Sequence, residues 1–463
     1  MKFLPGKILF LLVIVCWLPA SQAATLIKNA TILTLAEGDD KPFVGYVLMD
    51  KGHIKAIGKG SYSGKADTVV DATNKIVMPG FVSGHSHLWQ SAFRGIAADG
   101  ELYPWLKALH WTYGEYLGDG DFYNFTLHGA LDQLDHGITT TYNHAQRLGA
   151  SEAQYMESLQ ASIDSGQHFI FAYTSDLKLS DSDIRKTFAA LYKRTSKLIN
   201  KTPFLALSVN AVGYHYNHAK FPLEMALAKK YGITAQVHYL EQYSRRFVDR
   251  KQWPMFKAAG AVDNNVSYAH FIHTTDKILH EAAAKGASMI WNPLSNGRLA
   301  SGLSDIPKYL ESGLGVGMGV DGAASADIAD PFENMRIGMY GLRMLHHNAN
   351  VMLPIEVLRL HTLSTAKVFK LDNKVGSLEQ GKLADVLIVD PGKPGTGAVF
   401  DPAATLVFAC DAANIEKIYV SGKLLVENGV PLKHDMNKIQ AELVKRVDRI
   451  REAAKAAGKE LAM

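Results

Sequence analysis

His85-Ser86-His87 sets two imidazoles two residues apart. In a strand, alternation turns both to one face. Two neutral imidazoles on one face suit a borderline metal such as zinc. Such a pair alone more often binds nothing, so its surroundings decide. His238 closes Gln236-Val237-His238, and Asp321 closes the run Gly317-Met318-Gly319-Val320. Singly, His238 reads as a satisfied core histidine and Asp321 as a turn residue. Together, His85, His87, His238 and Asp321 read as ligands of one divalent metal ion, zinc by the donor set. Glu241 follows His238 by three residues, and His270 ends Ser267-Tyr268-Ala269-His270. Hydrolysis at a metal needs a base and an acid. Asp321 suits the first task and Glu241 the second, with His270 orienting water or polarising the bond. Without a metal, Glu241 is equally well a solvated carboxylate at a helix start. His273 ranks below His270 because it lies further past its strand.

These residues meet only if the chain brings strand ends together. Residues 76–368 alternate strands with helices. Candidate strands end near Phe81, Tyr142, Tyr173, Val209, Val237, Ala269, Trp291 and Val320. Helical patterns cover Phe122 to His136, Glu152 to Gly166, Asp183 to Ile199, Leu223 to Tyr231 and Lys277 to Lys285. The expected fold is α/β, a (β/α)8 TIM barrel, whose strand C-termini converge on one mouth. A doubly wound sheet leaves the spread of candidate ligands over the whole middle unexplained. Residues 24–75 and 369–433 carry short strands without helical period, and they are expected to combine into one small β-sandwich domain. Residues 434–463 read as a helical tail, from Asn437 to Ala457, packed outside.

Residues 1–23 read as a cleaved signal peptide. Lys2 and Lys7 precede an apolar run from Ile8 to Leu18, too short to span a bilayer, and Ser21-Gln22-Ala23 supplies the small-x-small cut. A secreted or periplasmic protein is expected, with no membrane span after processing. Removing the signal leaves Cys410 alone, so no internal disulfide is available. The net charge of +4, from 49 basic and 45 acidic residues, is too small to argue for nucleic acid. The expected partner is a small molecule, with a homo-oligomer left open.

The chain resembles the amidohydrolase superfamily, in the branch of S-adenosylhomocysteine and methylthioadenosine deaminases and triazine hydrolases. The resemblance covers nearly all of the mature chain. It rests on Leu26-Ile27-Lys28-Asn29-Ala30, Pro79-Gly80-Phe81 leading to His85-Ser86-His87, Phe93-Arg94-Gly95, Val237-His238-Tyr239-Leu240-Glu241 and Ala269-His270. It continues through Asn292-Pro293-Leu294-Ser295-Asn296, Leu299-Ala300-Ser301-Gly302, Asp321-Gly322-Ala323-Ala324-Ser325 and the stretch Gly376 to Asp385. It implies one zinc or iron on His85, His87, His238 and Asp321, with Glu241 and His270 sharing proton handling. Asn296 and Ser325 are expected at the substrate. A carbamylated-lysine two-metal site is not implied, because Ser208-Val209-Asn210-Ala211 stands where that lysine would be. The chain departs from the adenosine-type deaminases after the fourth strand. There Asn210-Ala211-Val212-Gly213-Tyr214 replaces their histidine, with His215 displaced, and Glu115 stands one residue from their ribose-binding glutamate.

The expected activity is therefore a metal-dependent hydrolase that deaminates or dechlorinates an aminated nitrogen heterocycle. Trp89, Trp105, Trp111 and Tyr103 cluster after the first strand, and Trp89 and Trp105 are the candidates for an apolar wall against the ring. The alternatives are an exported amidase acting on N-acyl amides, and a non-catalytic metal- or ligand-binding protein. The second leaves Glu241 and His270 without a task.

Overall fold

The computed structural model describes residues 23–145 and 150–459. The expected signal sequence through Gln22 lies outside the described residues. Among these residues no helix is long and apolar enough to cross a membrane.

The described strands form two sheets. β1 (Thr25–Ile32), β2 (Phe43–Asp50), β3 (His53–Lys59), β4 (Thr68–Asp71) and β5 (Ile76–Pro79) open the chain. β6 (Phe81–His87), β7 (Ile138–His144), β8 (His168–Tyr173), β9 (Phe204–Asn210) and β10 (Thr234–Tyr239) follow, then β11 (Val266–His270), β12 (Ser288–Trp291), β13 (Gly315–Met318) and β14 (Asp321–Gly322). β15 (Val386–Val389), β16 (Ile415–Val420), β17 (Lys423–Glu427) and β18 (Val430–Pro431) close it.

β6 to β13 pair in sequence order, each parallel to the next. β14 then pairs with β6, Asp321 opposite Ser86. Only Gly319 and Val320 separate β13 from β14, so the sheet curls until both its edges belong to one run of chain. Glycine is required at 319: a Cβ there would sit 2.7 Å from the backbone nitrogen of His85 and 2.9 Å from its oxygen. The close approach of this segment to His85 is what brings Asp321 beside the His85-x-His87 pair.

Ile76–Pro79 was expected to open the barrel. Instead, β5 runs antiparallel to β15 and parallel to β1 in the other sheet, and the first strand of the curled sheet starts at Phe81. Proline has no N–H for a ladder, and a Cβ at Gly80 would stand 2.1 Å from Thr139 Oγ1 on β7, so Pro79-Gly80 is where the chain changes sheets. The β5–β15 ladder joins the strands of the two chain ends. Their hydrogen bonds define one nine-stranded sheet, in the order β18-β17-β16-β15-β5-β1-β2-β3 with β4 on β1.

Alternation explains why β5 and β15 are apolar at every position. Val77, Val386 and Ile388 pack with Ile27, Ile32 and Val47 on one face. Ile76, Met78, Leu387 and Val389 enter the large core with Phe81 and Phe169 on the other. A strand buried on both faces reads as a continuous hydrophobic run.

Helices cover the outside of the curled sheet. Asp121–Asp135, Glu152–Ser165, Asp181–Thr195, Phe221–Tyr231 and Asp276–Ala284 lie within a few residues of their expected spans. Ser151 caps the second of these through a capping box with Gln154, and Gly166 ends it in the left-handed region. The C-terminal helix, Met436–Ala456, inserts Leu443 and Ile450 among Trp89, Phe93, Trp105 and Phe122. Arg446 and Arg449 pair there with the fully buried Asp121. Cys410 is buried and free.

Candidate metal centre and active site

Every candidate ligand sits at the C-terminal edge of the curled sheet. His85 and His87 end β6, His238 lies in β10, His270 ends β11 and Asp321 opens β14. His85 Nε2 and His87 Nε2 lie 3.5 and 3.6 Å from Asp321 Oδ1. His238 Nε2 lies 3.4 Å from His87 Nε2. Donors about 2.0–2.2 Å from one zinc in a tetrahedron stand about 3.3–3.6 Å apart, so these separations fit a shared ion. The four do not form a single tight set. His85, His87 and Asp321 make one group, while His238 groups with His85 and His270, and again with His87 and His144.

The second nitrogen of each β6 imidazole is occupied. His85 Nδ1 lies 2.6 Å from Gln236 Oε1, and His87 Nδ1 lies 2.9 Å from the carbonyl oxygen of His144. Each ring donates from Nδ1 and so presents a bare Nε2 to the centre, the tautomer metal-binding histidines adopt. His85 Nε2 is buried without a hydrogen-bond partner. Burial holds His85 down at about 3 and lowers His87 and His238 as well, keeping them neutral. Burial opposes the charge on Asp321, and His85, His270 and His87 outweigh it, holding the carboxyl at about 2. Neutral imidazoles with an ionised carboxylate are the protonation states metal binding requires.

Glu241 and His270 face this cluster. His270 Nε2 lies 3.7 Å from Glu241 Oε2 and 3.9 Å from Asp321 Oδ2. His270 Nδ1 donates to Asn296 Oδ1 at 2.8 Å, which turns Nε2 toward the two carboxylates. Burial raises Glu241 to about 6, so the group can hold or release a proton near neutral pH. Asp321 and His270 both have left-handed backbones, φ 61° and 73°. Such conformations cost about 1–3 kcal/mol each outside glycine and collect at functional sites.

An open cleft leads to the cluster, lined by His87, His238, Glu241, His270 and Asp321 at its base. Trp105 and Ser325 stand in its wall, with Trp105 Nε1 donating to the Ala324 carbonyl at 2.6 Å. Trp89 does not reach the cleft: it is fully buried, stacked on Phe122 in the core that the C-terminal helix completes. Asn296 also stays out of the lining, behind His270. Trp111 and Tyr103 are partly exposed and outside the lining. Glu115 points elsewhere, pairing with Lys459 on the surface. His215 does line the cleft, its ring tilted 34° against that of Tyr214 with centroids 4.0 Å apart.

Two residues of the cluster went unnoticed in the sequence. Gln236 is two positions before His238, hence on the same strand face, and that spacing was the available signal. His144 ends β7 at the same sheet edge. Its ring lies 4.7 Å from that of His238 and 4.9 Å from that of His87, fully buried, with neither nitrogen hydrogen-bonded.

A cluster of neutral imidazoles and a carboxylate, opening on a cleft beside a proton-holding glutamate, defines a metal-dependent hydrolase. The chain belongs to the amidohydrolase family, whose model matches residues 76–425. It is similar to a 5-methylthioadenosine/S-adenosylhomocysteine deaminase of Acetivibrio thermocellus, 26% identical over 91% of this chain and 99% of that protein. A 5'-deoxyadenosine deaminase of Methanosarcina mazei is 28% identical over 93% and 99%. Among solved structures, an adenosine deaminase from Xanthomonas campestris with bound zinc superposes with a TM-score of 0.81, at 20% identity, covering 92% of this chain and 98% of that one. A mutant atrazine chlorohydrolase from Arthrobacter aurescens, complexed with zinc and atraton, superposes at 0.83 with 22% identity, covering 91% and 100%. The amidase alternative finds no relative among these.

Proposed function

We propose that this chain hydrolyses an aminated nitrogen heterocycle, releasing ammonia or chloride from a ring carbon, at one zinc ion held by His85, His87, His238 and Asp321. The observation that carries the reading is the pair of bare Nε2 atoms on His85 and His87, 3.5 and 3.6 Å from Asp321, with Glu241 and His270 alongside. The curled sheet is read as a closed (β/α)8 barrel, and the sheet from both chain ends as a small β-sandwich packed on it.

A divalent ion bound there supplies Lewis-acid activation of water. The chain supplies the rest. Asp321, ionised, accepts a proton. His270 is fixed by Asn296 and places Nε2 between Asp321 and Glu241. Glu241, raised by burial, delivers a proton to the departing group. Trp105, Leu102, Leu106 and Leu299 give the ring an apolar wall that excludes bulk water.

The test is a screen of the zinc-loaded protein against aminated purines, pterins, triazines, their nucleosides and N-acyl amides, read as ammonia or chloride release. Turnover of at least one ring substrate is expected. Turnover confined to N-acyl amides would overturn the reading.

A further inference from the structure

Part of the cleft wall comes from the segment after β9: Ala211, Val212, Tyr214, His215 and Tyr216 line it. A loop wall needs something to hold its shape, and here a buried carboxyl group does so. Glu224, in the helix Phe221–Tyr231, is fully buried. Its Oε1 accepts from the backbone N–H of Val212 at 3.1 Å and its Oε2 from that of Gly213 at 2.8 Å. These bonds engage both oxygens, one to each of two consecutive amides. Gly213 is needed for the approach, since a Cβ there would stand 2.7 Å from Glu224 Oε2. One residue further on, the Tyr214 hydroxyl donates to the backbone carbonyl of His238. The same short segment is thus tied to a helix behind it and to the strand of a candidate metal ligand in front.

We propose that Glu224 is a positioning residue that sets substrate specificity, by holding segment 211–216 as one wall of the ring pocket in register with His238. The proposal rests on the function proposed above. Glu224 touches neither the cleft nor the candidate ligands. It acts through Val212 and Gly213 on the side chains that do meet the ring. Misplacing a contact surface by about 1 Å can cost on the order of 100-fold in rate. The loss here falls on binding, because the altered contacts lie on the ring and not on the reacting atoms.

Glu224→Gln tests this with little change of volume. The amide keeps one accepting oxygen and turns an NH2 group toward the other backbone N–H. Hydrogen exchange of the Val212 and Gly213 amides should quicken roughly tenfold or more, as expected for a weakened bond. Zinc content should hold. With the best ring substrate, KM should rise roughly 10- to 100-fold against a small change in kcat. The preference between two ring substrates should shift. Tyr214→Phe, which removes only the tie to His238, should raise KM in the same direction and serves if the glutamine variant folds poorly. Unchanged amide exchange would overturn the hydrogen-bonded tie. Faster exchange or a lower melting temperature with KM and preference unchanged would leave Glu224 a purely structural group and sink the proposal. If no ring compound is turned over by the unmodified protein, the functional reading fails instead, and amide exchange still reports on the tie.

Discussion

His85→Ala and Asp321→Ala protein should purify with less than roughly a tenth of the unmodified protein's zinc and without measurable turnover. Both side chains project a donor into the same small volume, and both are buried. Loss of an outer hydrogen-bond partner of a ligand typically costs about 10–100-fold in metal affinity, and loss of the ligand itself should cost more. Gln236→Ala offers that comparison, because it removes the acceptor for His85 Nδ1, along with the Gln236 Nε2 bonds to Gly84 and Ser267, and leaves every candidate ligand in place. It should weaken zinc binding by about 10–100-fold without abolishing it. Asp321 has φ 61°, where alanine is strained and asparagine is tolerated. Asp321→Asn therefore separates metal loss from a folding defect and should also lose zinc. Full zinc occupancy in either alanine variant would show the ligand set to be wrong.

Glu241→Gln should keep its zinc and lose on the order of 10²–10⁴ in kcat, the usual contribution of a general acid–base group. The substitution preserves shape and removes a titratable carboxyl. Burial holds that carboxyl up at about 6, with His270 and Asp321 beside it. KM should change much less, because the proton is needed in the transition state and not for binding. The variant differs from Glu224→Gln in this respect: one is expected to lower kcat, the other to raise KM. Steady-state kinetics with zinc analysis on the same sample decide it. An unchanged kcat would move proton transfer to Asp321 and His270 alone.

Five polar residues of the cluster, His85, His87, His238, His270 and Asp321, were legible because a few local rules place them. Period-two alternation put His85 and His87 on one face, and parallel strand order carried His238, His270 and Asp321 to the same edge. Helix spans were readable to within a few residues because caps such as Ser151 and stops such as Gly166 are local. What could not be read was set by distant packing. Trp89 looked like a cleft residue because it follows β6 by two positions, yet Phe122 and a C-terminal helix hundreds of residues further along the chain enclose it. Asn296 carried the right motif, but the choice between ring and His270 depends on where β11 and the segment after β12 meet. The run Ile76 to Phe81 is apolar throughout, so its hydropathy hides the change of sheet, and only Pro79-Gly80 marks it. His144 is one histidine among eighteen in the sequence, without a His-x-His partner to draw attention to it.

The central claim is that one zinc ion at this cluster makes the protein a hydrolase of ring carbon–nitrogen or carbon–chlorine bonds. The most direct measurement titrates zinc into metal-free protein while recording bound metal and product release from the best ring substrate together. The account predicts no turnover without metal and a linear rise that stops at one zinc per chain, with Asp321→Asn protein flat throughout. Turnover in the metal-free protein, or a rise that continues to two zinc ions per chain, would contradict it.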